Sequence, residues 1–182
     1  QVYTDYSQGD FNKTGNTFDM AIGGNGFFVV QSPDGAQEFY TRNGSFTIDT
    51  EGYLATLDGL RVMGDGGPIA IGEAETVDIS EAGQIYVDEA QVGRVQVVDF
   101  ANYDALVKVG GSGFELEDEA EPIPTEDVTI HQGYVEKANI NVIKEMVGMI
   151  LTLRSYEAGA KAIQSQDESL STLFRHVAQT HM

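Results

Sequence analysis

The first residues whose types and spacing suggest chemistry are the closely spaced glycines of IGGNGFF, residues 22–28. Such runs let backbone N–H groups surround a phosphate or another anion. A phosphate loop, however, leads into a helix whose N-terminus completes the site, and here an apolar, strand-like run, FFVVQ, follows instead. Turn geometry is the reading that fits. The stretch also lacks the aspartate of calcium-binding nonapeptide repeats, and no second copy of it occurs. Three histidines, His131, His176 and His181, offer neither a helical i, i+4 metal pair nor a recognisable triad partner.

Carboxylate is the reactive group present in quantity. Asp and Glu number 29 against 10 Lys and Arg, a net charge of −19. Some pair of acids must then lie together by abundance alone, so a glycosidase-type dyad has only composition behind it. The segment ELEDEAEPIPTED, residues 115–127, lacks the alternating ligands and central glycine of an EF-hand loop and is expected to be a solvated loop. No catalytic, cofactor-binding or metal-ligating residue is expected, and no small-molecule substrate. The negative charge repels phosphate backbones and anionic headgroups, which argues against a nucleic-acid partner. There is neither a Sec-type signal pattern nor an apolar run of about 18 residues, so no membrane insertion is expected. The absence of cysteine excludes disulfides and thiolate metal sites.

The elements that carry these residues change character along the chain. From Phe18 to about Phe114, short apolar runs are cut by Gly with Asn or Asp, the pattern of small antiparallel strands, roughly eight to ten of them. GFFVVQS and QEFYTR flank Asp34-Gly35, suited to a tight hairpin turn, and Asn43-Gly44 leads into SFTID, which predicts a second hairpin. The final third is written in helical period. Asn139 or Asn141 can cap a helix start. Steps of four and three then run through Val142, Met146, Met149, Leu153, Tyr156, Ala160, Ile163, Asp167, Leu170 and Phe174, all apolar except Asp167. That seam covers about 50 Å at 1.5 Å per residue, more than a helix lying on its own small domain needs. Ile143, Val147, Ile150 and Leu151 widen the apolar surface around the first half, which implies several neighbours. The fold class expected is mainly β with a long C-terminal α-helix, a Gly-rich antiparallel β domain inserted between terminal helical or extended assembly segments.

Three ordered blocks carry a resemblance. TGNTFDMAIGGNGFFVV (14–30) stands near the start, with Thr17 where proline is usual; YTRNGSFTIDTEGYLAT (40–56) follows; and QGYVEKANINVIKEMVGMILTLRSYEAGAKAIQSQDESL (132–170) closes the series. Together they resemble the axial proteins of the bacterial flagellum, specifically the basal-body rod proteins. VMGDGGPIAI (62–71) and VGRVQVVDF (92–100), with a compact connection between them, look more like the proximal-rod FlgF type than the distal-rod FlgG type.

The resemblance implies a structural subunit, not an enzyme, that polymerises through terminal helices into a helical tube carrying torque from motor to hook. Its partners would be copies of itself and other rod and hook proteins. Its place would be the basal body, spanning the periplasm, reached without a cleavable Sec signal. Residues 1–17 would be an N-terminal connector, with a partner helix preceding Gln1, residues 18–130 the β domain, and residues 131–182 a C-terminal connector and assembly helix. The nine apolar seam residues, Val142 through Phe174, would form the inner helical layer, and Arg42 and Asn43 in the outer β layer would contact neighbouring subunits. Two other classes remain open from residues alone: a secreted adhesive or glycan-binding β module whose helix binds a partner, and a carboxylate hydrolase with a deep acid-lined cleft.

Overall fold

The computed structural model describes residues 5–117, 121–125, 128–140 and 142–180, with helix side chains described from 143 to 171. It divides into two compact units, Gln1–Asn139 and Ile140–Met182. In the first unit the chain forms β1 (Phe11–Lys13), β2 (Met20–Gly23), β3 (Phe27–Gln31), β4 (Glu38–Thr41) and β5 (Phe46–Ile48). It continues through β6 (Leu54–Thr56), β7 (Arg61–Gly64), β8 (Gly67–Pro68), β9 (Val77–Ile79), β10 (Gln84–Val87), β11 (Ala90–Arg94) and β12 (Val97–Asp99). A 3-10 turn at Tyr103–Ala105 precedes β13 (Leu106–Lys108), β14 (Gly113–Leu116), β15 (Ile123–Pro124), β16 (Thr129–Gln132) and β17 (Tyr134–Glu136). The second unit holds one helix, α1 (Val142–Thr180). This is the mainly β class with a single long C-terminal helix that the periodicities predict.

The largest sheet runs in the order β13-β14-β4-β3-β7-β6-β5, with β12, β15 and β8 attached off that path. Its central strand explains the run FFVV, which is apolar without alternation because both faces of β3 are covered. Phe28 and Val30 point into one cluster with Met20, Ile22, Phe46, Leu54, Val62, Ile85 and Ile130. Phe27 and Val29 point into a second with Tyr40, Val98, Phe100 and Leu106. At roughly 1.5–3 kcal/mol per fully buried large side chain, β3 alone anchors both cores.

The first predicted hairpin is present: β3 pairs antiparallel with β4, and Gly35 N–H donates to Ser32 O at 2.8 Å across the turn. The second is not. β4 and β5 lie apart in the sheet with β3, β7 and β6 between them, and β5 pairs with β6. Gly44 therefore serves close approach instead of a hairpin turn. Met20 N–H donates to Gly44 O at 2.9 Å, and a Cβ on Gly44 would stand 1.6 Å from Met20 O. The acidic stretch is likewise only partly a loop. Leu116 packs against the second cluster and Ile123–Pro124 pairs with β12. Residues 118–120 and 126–127 of it lie outside the described residues.

Candidate assembly surface

All three quoted blocks converge where the chain enters and leaves the β unit. β1 pairs antiparallel with β17, Phe11 opposite Glu136 and Lys13 opposite Tyr134. Thr14 and Gly15 N–H groups both donate to Gly133 O, at 2.8 and 3.1 Å. The nearly buried Asp19 carboxylate accepts from Thr14 Oγ1 at 2.6 Å and from Asn16 Nδ2 at 3.1 Å, while Gly133 N–H donates to Asp19 O. Gln132 ties this knot to the small β9-β10-β11 sheet. Its Nε2 donates to Thr17 O and Val77 O, both at 3.0 Å, and its Oε1 accepts from Ile79 N–H at 3.1 Å. One side chain thus makes three hydrogen bonds to two other chain segments, so Thr-Gly-Asn near the start and Gln-Gly near the end are two halves of one latch.

Arg42, from the middle block, completes the closure. Its Nε donates to Glu136 Oε2 at 3.0 Å and its Nη2 to Gly24 O at 2.9 Å, with the ion pair only slightly exposed. Glu136 Oε1 in turn accepts from Gly9 N–H at 2.7 Å. The glycine loop at 22–28 therefore presents a carbonyl to a guanidinium, the reverse of an anion cradle; at Gly26, with φ +134°, a Cβ would meet Val97 Cγ1 at 2.7 Å. Asn43 closes its own turn, its Oδ1 accepting from Ser45 N–H at 3.1 Å, and its Nδ2 donates to Ser112 Oγ at 3.3 Å. The structure thus gives both residues intrachain partners. Asn139 does not cap the helix: its Nδ2 donates to Asp5 O, Ser7 O and Ser7 Oγ at 2.9 to 3.2 Å. Asn141 lies outside the described residues.

Sequence reasoning missed Asp19, Gln132, Glu136 and Asn139 as the residues that fix the two chain ends. The available signal was their place inside the three blocks, since lone polar residues between strands otherwise read as solvated.

The seam residues lie in α1, a helix of 39 residues. Met146, Met149, Leu153, Tyr156, Ile163 and Leu170 are 52–77% exposed, and Ala160 is half-buried. Ile143, Val147, Ile150 and Leu151, off the seam, are 50–75% exposed as well. The side chains of Val142 and Phe174 lie outside those described. No helix among the described residues is long and apolar enough to cross a membrane. Nor do the described residues contain a His, Asp and Glu group able to hold a metal ion.

A paired entry and exit, a double-cored β unit and a long exposed apolar helix together describe a subunit built for packing, and the comparisons with known proteins agree. The family described as flagellar hook protein FlgE/F/G D1 domain matches residues 21–87, and flagellar basal body rod FlgEFG protein C-terminal matches residues 131–175. The chain is 36% identical to the flagellar basal-body rod protein FlgG of Buchnera aphidicola subsp. Schizaphis graminum, covering 92% of this chain and 68% of that protein. It is 35% identical to the rod protein FlgF of Caulobacter vibrioides, with the same coverage of both, and 32% identical to FlgG of Bacillus subtilis, covering 94% and 70%. The chain belongs to the flagellar basal-body rod protein family. It is a structural protein and not an enzyme.

Proposed function

We infer that this chain is a subunit of the flagellar basal-body rod and that α1 is its assembly surface. In the rod it polymerises with copies of itself and with other axial proteins. Repetition of a heterologous, non-closing contact produces a helical tube, which carries torque from motor to hook. The carrying observation is the exposure of the helix: six large seam side chains are each at least 52% open to solvent. Burying such side chains on neighbouring copies contributes roughly 25 cal/mol per Å², spread along the helix instead of concentrated in one contact.

Residues 18–130 then form the outer β layer, and residues 131–182 the connector and the inner helical layer with its seam from Val142 to Phe174. Arg42 and Asn43 act in that layer by shaping the surface it presents to neighbours. Within the family we assign the proximal-rod, FlgF type, on the compact connection between VMGDGGPIAI and VGRVQVVDF; the matched relatives carry both FlgF and FlgG names. The adhesive or glycan-binding alternative is not favoured by these relatives.

The test is sedimentation and circular dichroism over a concentration series. The full chain is compared with a form ending at Asn141 and with a Met149→Glu, Leu153→Glu variant. The full chain is expected to gain mass and helicity together as concentration rises, and both altered forms to lose that coupling while the β signal stays unchanged. Equal oligomer size in all three would overturn the assembly role of the seam.

A further inference from the structure

Asp167 is the one charged position on the apolar seam of α1. It is exposed and belongs to no ion pair among the described residues. Residues three and four apart are neighbours on a helix surface, so Asp167 stands between Ile163 and Leu170, which are 63% and 52% exposed. A contact that buries those two side chains takes the carboxylate out of water with them. An unpaired charge strongly opposes such burial, and a cation from the other side of the contact removes the opposition. Among the exposed bases of the same helix, Arg154 fits that part. It too belongs to no ion pair among the described residues, and Ile150 and Leu151, 50% and 62% exposed, lie one turn before it. Lys161 follows Glu157 by four residues, the order that favours pairing within one helix, whereas Arg154 precedes Glu157 by three. A guanidinium also donates two parallel hydrogen bonds to a carboxylate and is more weakly hydrated than an ammonium, which lowers the cost of burying the pair.

The two residues cannot meet within one chain. Both lie in α1, and their spacing along it sets them about 20 Å apart in height and about 140° apart around the axis. Resting on the assembly reading above, we propose that Asp167 of one copy pairs with Arg154 of a second copy and thereby fixes the register of the helical contact. Ile163 and Leu170 beside the carboxylate, with Ile150 and Leu151 beside the guanidinium, close over the pair and exclude water from it. A wholly apolar seam tolerates slippage along its length, and a single polar position in it specifies one register at some cost in stability. Because the acid and the base lie on different faces of one helix, each copy meets different neighbours through them. The contact is therefore heterologous and propagates instead of closing into a dimer.

Charge reversal tests this by sedimentation over a concentration series. Asp167→Arg and Arg154→Asp, each alone, should raise the concentration at which mass begins to grow by about tenfold, since each sets like charges against one another in the contact. The two substitutions in one chain restore opposite signs and should bring that concentration back to within about twofold of the unsubstituted chain. An equal mixture of the two single variants should also assemble at lower concentration than either alone, because alternating copies again present opposite charges. Lys161→Asp with Asp167→Arg makes the same change in charge at the wrong base and should give no recovery. Recovery in that control equal to recovery with Arg154→Asp, or no recovery in the paired variant, would overturn the contact. The unsubstituted chain separates the two failures. If it gains mass with concentration while the reversals behave otherwise than stated, the pair falls and the rod reading stands; if it gains none, the assembly reading falls and takes the pair with it.

Discussion

The two units of this chain solve opposite problems with different residues. After Asn139 the sequence holds four acids, Glu145, Glu157, Asp167 and Glu168, and four bases, Lys144, Arg154, Lys161 and Arg175, so the whole net charge of −19 belongs to residues 1–139. The β unit buries its apolar residues in two clusters and shows water a strongly acidic surface. The helix is charge-balanced and shows water its methionines, leucines and isoleucines. Solubility of the free subunit comes from one region and adhesion from the other. Because the excess charge lies in residues 1–139, a contact made through the charge-balanced helix would not need to bury an unpaired carboxylate.

The sharpest way to break this contrast is a single methyl group. Gly44→Ala places a Cβ 1.6 Å from a backbone carbonyl that cannot swing aside, since Met20 is itself hydrogen-bonded to Gly44 and fully buried. We expect a loss of about 4 kcal/mol or more, enough to abolish the cooperative melting transition of the β unit. A β unit that melts normally in this variant would mean that the β4-to-β5 crossover is not fixed by Gly44.

How much of this was legible beforehand follows the same division. The C-terminal helix is readable because helical periodicity is a local property of the sequence. β3 is readable as a strand from FFVVQ, and Asp34-Gly35 as a turn, because those signals are local too. The crossover at Asn43-Gly44 was not, because the dipeptide suits a hairpin and only the distant backbone of Met20 shows that space, not turn geometry, demands glycine. Gln132, Glu136 and Asn139 escaped for a related cause. Each bonds residues 50 or more positions away, and nothing in a neighbouring residue type announces such a partner. Arg42 was noticed, yet its ion pair with Glu136, 94 positions on, was not.

A smaller effect sharpens the comparison through pH. In the second β cluster, burial and the Asp99 carboxylate push the Tyr103 hydroxyl up to about 12, and burial with Glu38 keeps the Tyr40 hydroxyl protonated well above the usual phenolic range. A raised folded-state value means that the neutral phenol is favoured in the folded form. Its stabilising contribution is full below the unfolded value near 10 and is lost as pH rises through the folded value. The β unit is therefore expected to lose its tertiary signal between pH 10 and about 12, and Tyr103→Phe to shift that transition upward. The same substitution removes the 2.7 Å bond to Asp99 and should cost about 1 kcal/mol at neutral pH. An alkaline midpoint identical in wild type and variant would show that Tyr103 does not control the transition.

The smallest effect is the mirror of the first. Gly148 lies within α1, off the apolar seam, and nothing stands within 4 Å of a Cβ added there. Alanine at that position meets no clash in the free chain and removes a helix penalty of about 1 kcal/mol. Gly148→Ala should thus raise the helicity of dilute, unassembled protein, where Gly44→Ala destroys structure. In the assembled rod the sign is expected to turn. A glycine kept in a helix that depends on packing fits a close helix–helix approach, and a methyl there holds neighbouring helices apart. Circular dichroism of the dilute chain and the concentration at which mass begins to grow read the two states separately. Higher helicity with assembly shifted to higher concentration supports close packing at Gly148, whereas higher helicity with easier assembly would place Gly148 outside the contact and leave the neighbouring apolar residues to make it alone.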